Sequence, residues 1–377
     1  MTMPRSVRVT GWGAHAPETV LTNADLERIV ETSDEWIASR TGIRERRIAG
    51  RDETTATLAA TAGLRAIATA GLDPDEIDLI IVATLTPDYP MPATAILVKE
   101  LIGNRRAAAF DVAAACSGFA YGYATADSFV RAGAARHALV VGAETLSRVT
   151  DFTDRNTCVL FGDGAGAVVL SASDAEGGGM AGLELTADPG GCELLWIPSG
   201  GSRRPVSPGT LARGEHTIRM DGRETYRYAT RTLAASAEAA IARAGWTTAD
   251  VDLVIPHQAN IRIIDSVARS LGYPMERVFV NLDRYGNTSA ASVGIALAEA
   301  VGTGRVQVGD RIVIVAFGAG YTSGAIALEW TADPAASARA AAIPPVRFAH
   351  PGDGGTDEDP VPAVLRPILA AAAAAAT

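Results

Sequence analysis

Short unbroken runs of Val, Ile, Leu and Ala recur along the chain, separated by Ala-rich stretches whose apolar residues fall at helical spacing. The runs at Leu79–Ala83, Ala138–Val141, Ala165–Leu170, Val251–Ile255, Arg311–Ala316 and Ala325–Leu328 lack the polar alternation of half-exposed strands. They are predicted to be strands covered on both faces. With helices between them, the expected class is α/β.

The pattern also repeats. "ATAGLRAIATAGLDPDEIDLIIV", from Ala60, and "AASAEAAIARAGWTTADVDLVIP", from Ala234, align without a gap, placing Gly71 on Gly245 and Leu79 on Leu253. Each copy reads as a helix, a glycine cap, an acidic turn and a buried strand. Farther on, Leu139–Val141 matches Ile312–Ile314, with an offset one shorter than that of the first match. A repeat this long is no solenoid; it predicts two homologous halves meeting at a groove. The expected division is residues 1–182 for the first half, 183–330 for a connecting cap and the second half, and 331–377 for a tail. Leu183–Met220 is rich in Gly, Pro, Ser and Arg without periodicity, as a cap would be. The tail is Ala-, Pro- and Gly-rich and is expected to be disordered, with at most a short terminal helix.

The chain has 377 residues, 48% of them hydrophobic and 20% charged, enough for a sizeable core. Its net charge of −10 argues against a nucleic-acid partner. There is no apolar run long enough for a membrane span and no signal-like N-terminus, and three cysteines make no disulfide framework. A cytoplasmic protein is the expectation, and no Cys/His spacing suggests a metal site.

Against that background three positions stand out. Cys116 in "FDVAAACSGF" sits between a short strand and a helix whose stripe is Phe119, Tyr123, Ala126 and Val130. A helix N-terminus favours an anion, which would lower the thiol's pKa and leave N–H groups for an oxyanion. A buried inert cysteine would have the same neighbours. His257 in "VDLVIPHQANIRII" follows a buried strand, where α/β folds collect functional groups, although a histidine can also cap the helix there. Asn287 in "GNTSAASVG" opens another helix, as an N-cap asparagine would. Its separation from Cys116 is close to the repeat offset, so the two are expected at equivalent junctions facing one groove. "FGDGAGAVVL" and "AFGAGYTSG" match no phosphate-loop spacing and read as tight turns, the second offering a backbone N–H.

These motifs, with "SDEWIASRTGIRER" and all in family order, resemble the β-ketoacyl-acyl-carrier-protein synthase III family of thiolase-fold condensing enzymes, over about Val7–Glu329. The resemblance implies a homodimer of five-layered α/β/α/β/α subunits and a Cys116–His257–Asn287 triad. It implies decarboxylating condensation of an acyl-CoA with malonyl-acyl-carrier protein through a Cys acyl-enzyme, starting fatty-acid or polyketide synthesis, without a cofactor beyond the CoA thioester substrate. Backbone N–H groups of Cys116 and Ala319 would serve an oxyanion. Trp36, Arg40, Arg155 and Asn260 would bind CoA, with Trp36 and Arg155 on either side of the adenine. Met91, reaching in from the partner subunit, and Phe317 would gate the acyl pocket. Arg227, Arg262 and Arg269 would dock an acidic carrier protein. Ala319 stands where family members commonly have glycine, and Tyr321 departs from the family tryptophan. Two competing readings are a non-condensing acyltransferase of the same fold, passing its acyl group to a hydroxyl or amine, and a silent carrier-binding subunit.

Overall fold

The computed structural model describes residues 6–347 and 359–375. The first half builds a five-stranded sheet from β1 (Ser6–His15), β4 (Leu79–Ala83), β5 (Ala108–Val112), β6 (His137–Thr145) and β7 (Asp163–Ser173), in the order β1–β7–β6–β4–β5. The second half contributes β8 (Gly179–Ala187), β11 (Leu253–Pro256), β12 (Arg311–Gly318) and β13 (Thr322–Glu329), ordered β11–β12–β13–β8. Two small ribbons sit outside these sheets: β2 (Val20–Thr22) with β3 (Glu45–Arg47), and β9 (Leu195–Trp196) with β10 (Arg219–Met220).

The helices of the first half are α1 (Asn23–Leu26), α2 (Asp34–Thr41), α3 (Thr55–Ala70), α4 (Thr94–Leu101) and α5 (Gly118–Arg131), and α6 (Pro208–Ala212) lies in the connecting segment. The second half adds α7 (Gly222–Arg243), α8 (Ile261–Leu271), α9 (Leu282–Tyr285) and α10 (Ala291–Gly302), and α11 (Arg366–Ala375) follows. Three apolar cores hold five layers together: α3 and α4 against the outer face of the first sheet, α5 and α10 between the sheets, α7 and α8 on the outer face of the second. Among the described residues no helix is long and apolar enough to cross a membrane.

The predicted duplication is visible in register. Leu79 pairs with Ala138 in the first sheet, and their counterparts Leu253 and Ile312 pair in the second. Gly71 and Gly245 both take positive φ, 70° and 72°, at the ends of equivalent helices. The second strand pair therefore keeps the offset that relates Leu79 to Leu253, and the sequence alignment of Leu139 with Ile312 is out by one position. Such a slip would turn every side chain to the opposite face of the sheet.

Two boundaries also differ from expectation. Gly179–Ala187 is a strand of the second sheet, paired with β13, so the halves divide before residue 179 and not after 182. The tail, expected to be disordered, contributes a 3-10 helix at Pro334–Ala342 against α3, and Val361, Leu365 and Ile368 are buried with Leu21, Ile37 and Phe152. Apolar residues at spacings of four and three supply a face that composition alone conceals. Residues 348–358 of that tail lie outside the described residues.

The middle layer is unusually close. A Cβ on Gly166 of β7 would lie 2.2 Å from the backbone carbon of Gly294 in α10, and one on Gly142 of β6 would lie 2.1 Å from the Ala290 oxygen. Only glycine lets this helix lie directly on the sheet, and that approach brings the N-terminus of α10 beside that of α5.

Candidate active site

Cys116 lies in a 3-10 turn, Ala115–Ser117, between β5 and α5. Gly118 opens the helix behind Ser117, so the cysteine precedes the first helical turn instead of occupying it. Gly318, at the end of β12, presses on this turn so closely that a Cβ there would sit 2.6 Å from the Cys116 nitrogen. The thiol is 7% exposed. Burial pushes it up to about 12, and the nearby Glu144 charge pushes the same way. That reverses the direction expected from a helix terminus. Desolvation and a facing carboxylate outweigh a dipole whose first turn begins beyond the cysteine.

His257 follows β11, its backbone N–H tied to Val315 of β12 at 2.8 Å. Its Nδ1 lies 2.6 Å from Ser292 Oγ in α10. That oxygen also accepts the Gln258 N–H at 3.5 Å. The tautomer in which the Ser292 hydroxyl donates to Nδ1 carries its ring hydrogen on Nε2. Burial lowers His257 to about 4, so the imidazole is neutral at physiological pH.

Asn287 is held at both ends. Its backbone pairs with Leu160 and Gly162, and its Oδ1 accepts the Ser289 N–H at 2.9 Å. Its Nδ2 is left for the cavity. That cavity, about 110 Å³, is lined by Cys116, His257, Asn287, Asn260 and Phe317 among others. The three side chains expected to converge do so.

The cavity joins two larger spaces. Outward it shares Leu160, Met220, Gly222 and Asn260 with a cleft of about 760 Å³ that also carries Trp36 and Arg40. Inward it shares Cys116, Phe161 and Leu195 with an apolar cavity of about 220 Å³ lined by Leu85, Leu146, Trp196, Ile197 and Ile218. The path thus runs from a polar mouth, past the sulfur, to an apolar end. Ala319 lines the inner cavity and is not in the left-handed region, so its methyl costs the turn nothing.

Other expected residues fall differently. Arg155 and Arg40 both lie over the Trp36 ring, at 4.5 and 4.7 Å. Trp36 and Arg155 are thus in mutual contact, with no gap between them, and a base stacking on Trp36 must displace an arginine. Phe317 faces the cavity of His257 and Asn287, packed against Tyr321 with ring centroids 4.7 Å apart and tilted by 45°, and does not line the apolar end it was expected to gate. Met91 is 86% exposed and lines none of its own chain's cavities on this path. Asn260 caps α8 through Oδ1, accepting the Arg262 N–H at 2.9 Å, as well as lining the path. Arg227 is paired with Glu224 and Arg269 with Asp265, while Arg262 donates to the Ser39 carbonyl at 2.9 Å.

Two residues of the site escape sequence reasoning, Ser289 and Glu144. Ala115 and Ser289 are the only described non-glycine residues with positive φ, 46° and 48°, and they stand in the same relation as Gly71 and Gly245. The duplication therefore pairs Cys116 with Ala290, not with Asn287, which falls three positions earlier on the same turn. Ser289 lines the inner cavity beside Cys116 and donates to Glu144 at 3.0 Å. Glu144, fully buried, also accepts from Thr86 Oγ1 at 2.6 Å, Thr84 Oγ1 at 3.1 Å and the Leu85 and Thr86 amides at 3.2 Å. The available signal is an acidic residue inside the apolar run "ALVVGAET".

Known proteins match this architecture. A family model for 3-oxoacyl-[acyl-carrier-protein] synthase III covers residues 110–189, and the model for the C-terminal part of that family covers 241–330. The β-ketoacyl-[acyl-carrier-protein] synthase III of Roseiflexus sp. (strain RS-1) is 55% identical over 330 residues, 88% of this chain and all of that protein. The protein of the same name from Symbiobacterium thermophilum is 52% identical over 326 residues, 86% of this chain and 98% of the relative. Among solved structures, 3-oxoacyl-[acyl-carrier-protein] synthase III from Aquifex aeolicus VF5 superimposes with a TM-score of 0.80 at 46% identity, covering 86% of this chain and all of that one. The priming β-ketosynthase of the R1128 polyketide biosynthetic pathway superimposes with a TM-score of 0.81 at 36% identity, covering 89% and 98%.

Proposed function

This chain belongs to the β-ketoacyl-acyl-carrier-protein synthase III family, and from that membership we propose how its buried cavity works. It is a thiolase-fold acyltransferase that carries out the initiating condensation of fatty-acid synthesis. An acyl-CoA enters by the polar cleft, with its nucleotide against Trp36, Arg40 and Arg155 and its pantetheine arm past Asn260. The Cys116 sulfur attacks the thioester carbon, CoA leaves, and the acyl group points into the apolar cavity. Backbone N–H groups of Cys116 and Ala319 face the carbonyl oxygen during this step.

Malonyl-acyl-carrier protein then occupies the same path. Loss of CO₂ leaves an enolate whose oxygen needs hydrogen-bond donors. The neutral His257 Nε2–H and the Asn287 Nδ2–H₂ supply them, each worth about 3 kcal/mol by analogy with deletion of one oxyanion donor. The carbanion attacks the acyl carbon and Cys116 leaves as thiolate, giving 3-oxoacyl-carrier protein. These steps call on CoA thioester as substrate and on no resident cofactor.

The proposal includes a homodimer in which the exposed Met91 of one subunit reaches its partner's acyl cavity. It also includes a carrier-protein contact centred on Arg262, the one of the three docking arginines bound to a carbonyl and not to a carboxylate. A cytoplasmic setting suits a nucleophile that must stay a free thiol; all three cysteines are free. The observation that carries this reading is the single cavity shared by Cys116, His257 and Asn287. A non-condensing transfer to a hydroxyl or amine would need no enolate donors. The test is CO₂ release from malonyl-carrier protein with acyl-CoA present: one CO₂ per 3-oxoacyl product supports condensation, and acyl transfer without CO₂ contradicts it.

A further inference from the structure

The described residues after 330 come back to the mouth of the outer cleft. Past the 3-10 helix at Pro334–Ala342, the Val346 N–H donates to Thr61 Oγ1 at 2.9 Å and Arg347 pairs with Glu53 at 2.7 Å, which ties the chain to α3 and the turn before it. Residues 359–369 then form a small unit whose hydrogen bonds close on themselves. Arg366 donates through Nε to the Val361 carbonyl at 2.9 Å and through Nη2 to the Asp359 carbonyl at 2.6 Å, while the Val361 N–H donates to Asp359 Oδ1 at 3.0 Å. What the unit offers to the body is apolar: Val361, Leu365 and Ile368, at spacings of four and three, are buried, Leu365 completely. All of this lies beyond residue 330, where the family model stops, and 88% of this chain is enough to match the whole Roseiflexus protein.

The apolar face joins one cluster with Leu21, Ile37, Phe152, Cys158 and Val159. Two supports in that cluster carry the residues that meet the nucleotide. Ile37 and Thr41 are the buried residues of α2, the helix of 8 residues that presents Trp36 and Arg40. A helix this short is marginal alone, so what lies behind it fixes where it stands. Phe152, Cys158 and Val159 flank Arg155 in the chain and are buried while Arg155 reaches over Trp36. Trp36, Val159 and Leu160 belong to both surfaces: they pack in or against the cluster on one side and line the cleft of about 760 Å³ on the other.

We propose that residues 359–369 are a buttress for the CoA mouth, packing Val361, Leu365 and Ile368 behind α2 and the 152–160 segment so that Trp36 and Arg155 stand where the nucleotide of acyl-CoA meets them. Arg155 and Arg40 lie over the Trp36 ring at 4.5 and 4.7 Å, and a stacking base displaces one of them. The arginine moves while the indole stays, which requires the indole to be held from behind. None of the three cores that hold the layers together contains Val361, Leu365 or Ile368, so this face supports the mouth and not the sheets. Leu365 does not line the cleft; it is a positioning residue that acts through Ile37 and Trp36.

The buttress rests on the placement of the nucleotide against Trp36, and the test separates the two. On the full chain, with malonyl-carrier protein saturating, kcat and KM are measured for acetyl-CoA and for S-acetyl-pantetheine, which carries the thioester arm without the nucleotide. Leu365→Asp puts a carboxylate into a cluster that cannot solvate it, so the segment leaves. Its KM for acetyl-CoA is expected to rise about tenfold, the loss of one stacking contact, with kcat within about twofold of wild type. In the same variant kcat/KM for S-acetyl-pantetheine should stay within about twofold. Leu365→Met keeps an apolar side chain of similar volume and should show the wild-type KM. Leu365→Ala should give the same split to a smaller degree, and it decides the matter if Leu365→Asp does not fold. An unchanged KM for acetyl-CoA, or equal losses with both thioesters, would overturn the buttress while Trp36→Ala still raises that KM. If Trp36→Ala leaves KM for acetyl-CoA at the wild-type value, the nucleotide placement itself falls, and the buttress with it.

Discussion

Replacing Asn287 should split the reaction into a step that survives and a step that fails. Asn287 does two separable things: Oδ1 accepts the Ser289 N–H at 2.9 Å, and Nδ2 faces the cavity. Asn287→Asp keeps the acceptor, and with it the turn that holds Ser289, but supplies no N–H. Removing one of two donors should cost condensation about 3 kcal/mol, roughly 150-fold in rate. The aspartate adds a negative charge facing a developing enolate, so the loss should exceed that figure. Asn287→Ala should lose about the single-donor amount, plus whatever follows from releasing Ser289. Acylation of Cys116 needs neither donor, so Asn287→Asp should slow it far less than it slows condensation, through the added charge beside the sulfur alone. Acylation is read by intact mass with acyl-CoA alone, condensation by CO₂ and 3-oxoacyl product after malonyl-carrier protein is added. Equal loss of both steps in Asn287→Asp would refute the assignment of Nδ2 to the enolate.

Arg262→Glu should raise KM for the carrier-protein substrate while leaving KM for acyl-CoA unchanged, measured by varying each substrate in turn; a change in both would argue against a docking role. Gly166→Ala drives a methyl into the Gly294 backbone and should destabilise the chain by roughly 3 kcal/mol, visible as a lower urea midpoint. His257 titrates at about 4 when folded against about 6.5 when unfolded, so the unfolded chain binds the extra proton between those values. The stability His257 contributes is complete above pH 6.5 and is lost as pH falls toward 4, by about 3 kcal/mol. Urea titrations should find a shallower acid slope in His257→Gln.

Much of the architecture was legible because duplication leaves an offset that any strand pair can check. The pairings of Leu79 with Ala138 and of Leu253 with Ile312 carry it into the backbone. Cys116, His257 and Asn287 were legible for a related reason: each breaks an apolar or helical pattern at an element boundary, where side chains can turn into a shared space. Ser289 was not, because residue type gives no warning of a positive φ at a serine; the strain comes from α10 lying against β6 and β7, a tertiary fact. The Cys116 pKa runs against its sequence expectation for a similar reason. A helix terminus is local and visible in the chain, whereas full burial and a carboxylate brought in from β6 depend on the fold. The Ala, Pro and Gly content of the tail obscures the Val361, Leu365 and Ile368 face that packs beside Phe152.

The measurement that bears most directly on the convergence of these three side chains is peptide-mapped mass spectrometry of the chain after acyl-CoA, before and after malonyl-carrier protein. The account predicts one acyl group, on Cys116 and absent from Cys116→Ser, that is discharged with one CO₂ when the malonyl substrate arrives. An acyl group found on Cys158 or Cys192, or one that leaves Cys116 by transfer without CO₂, would contradict it.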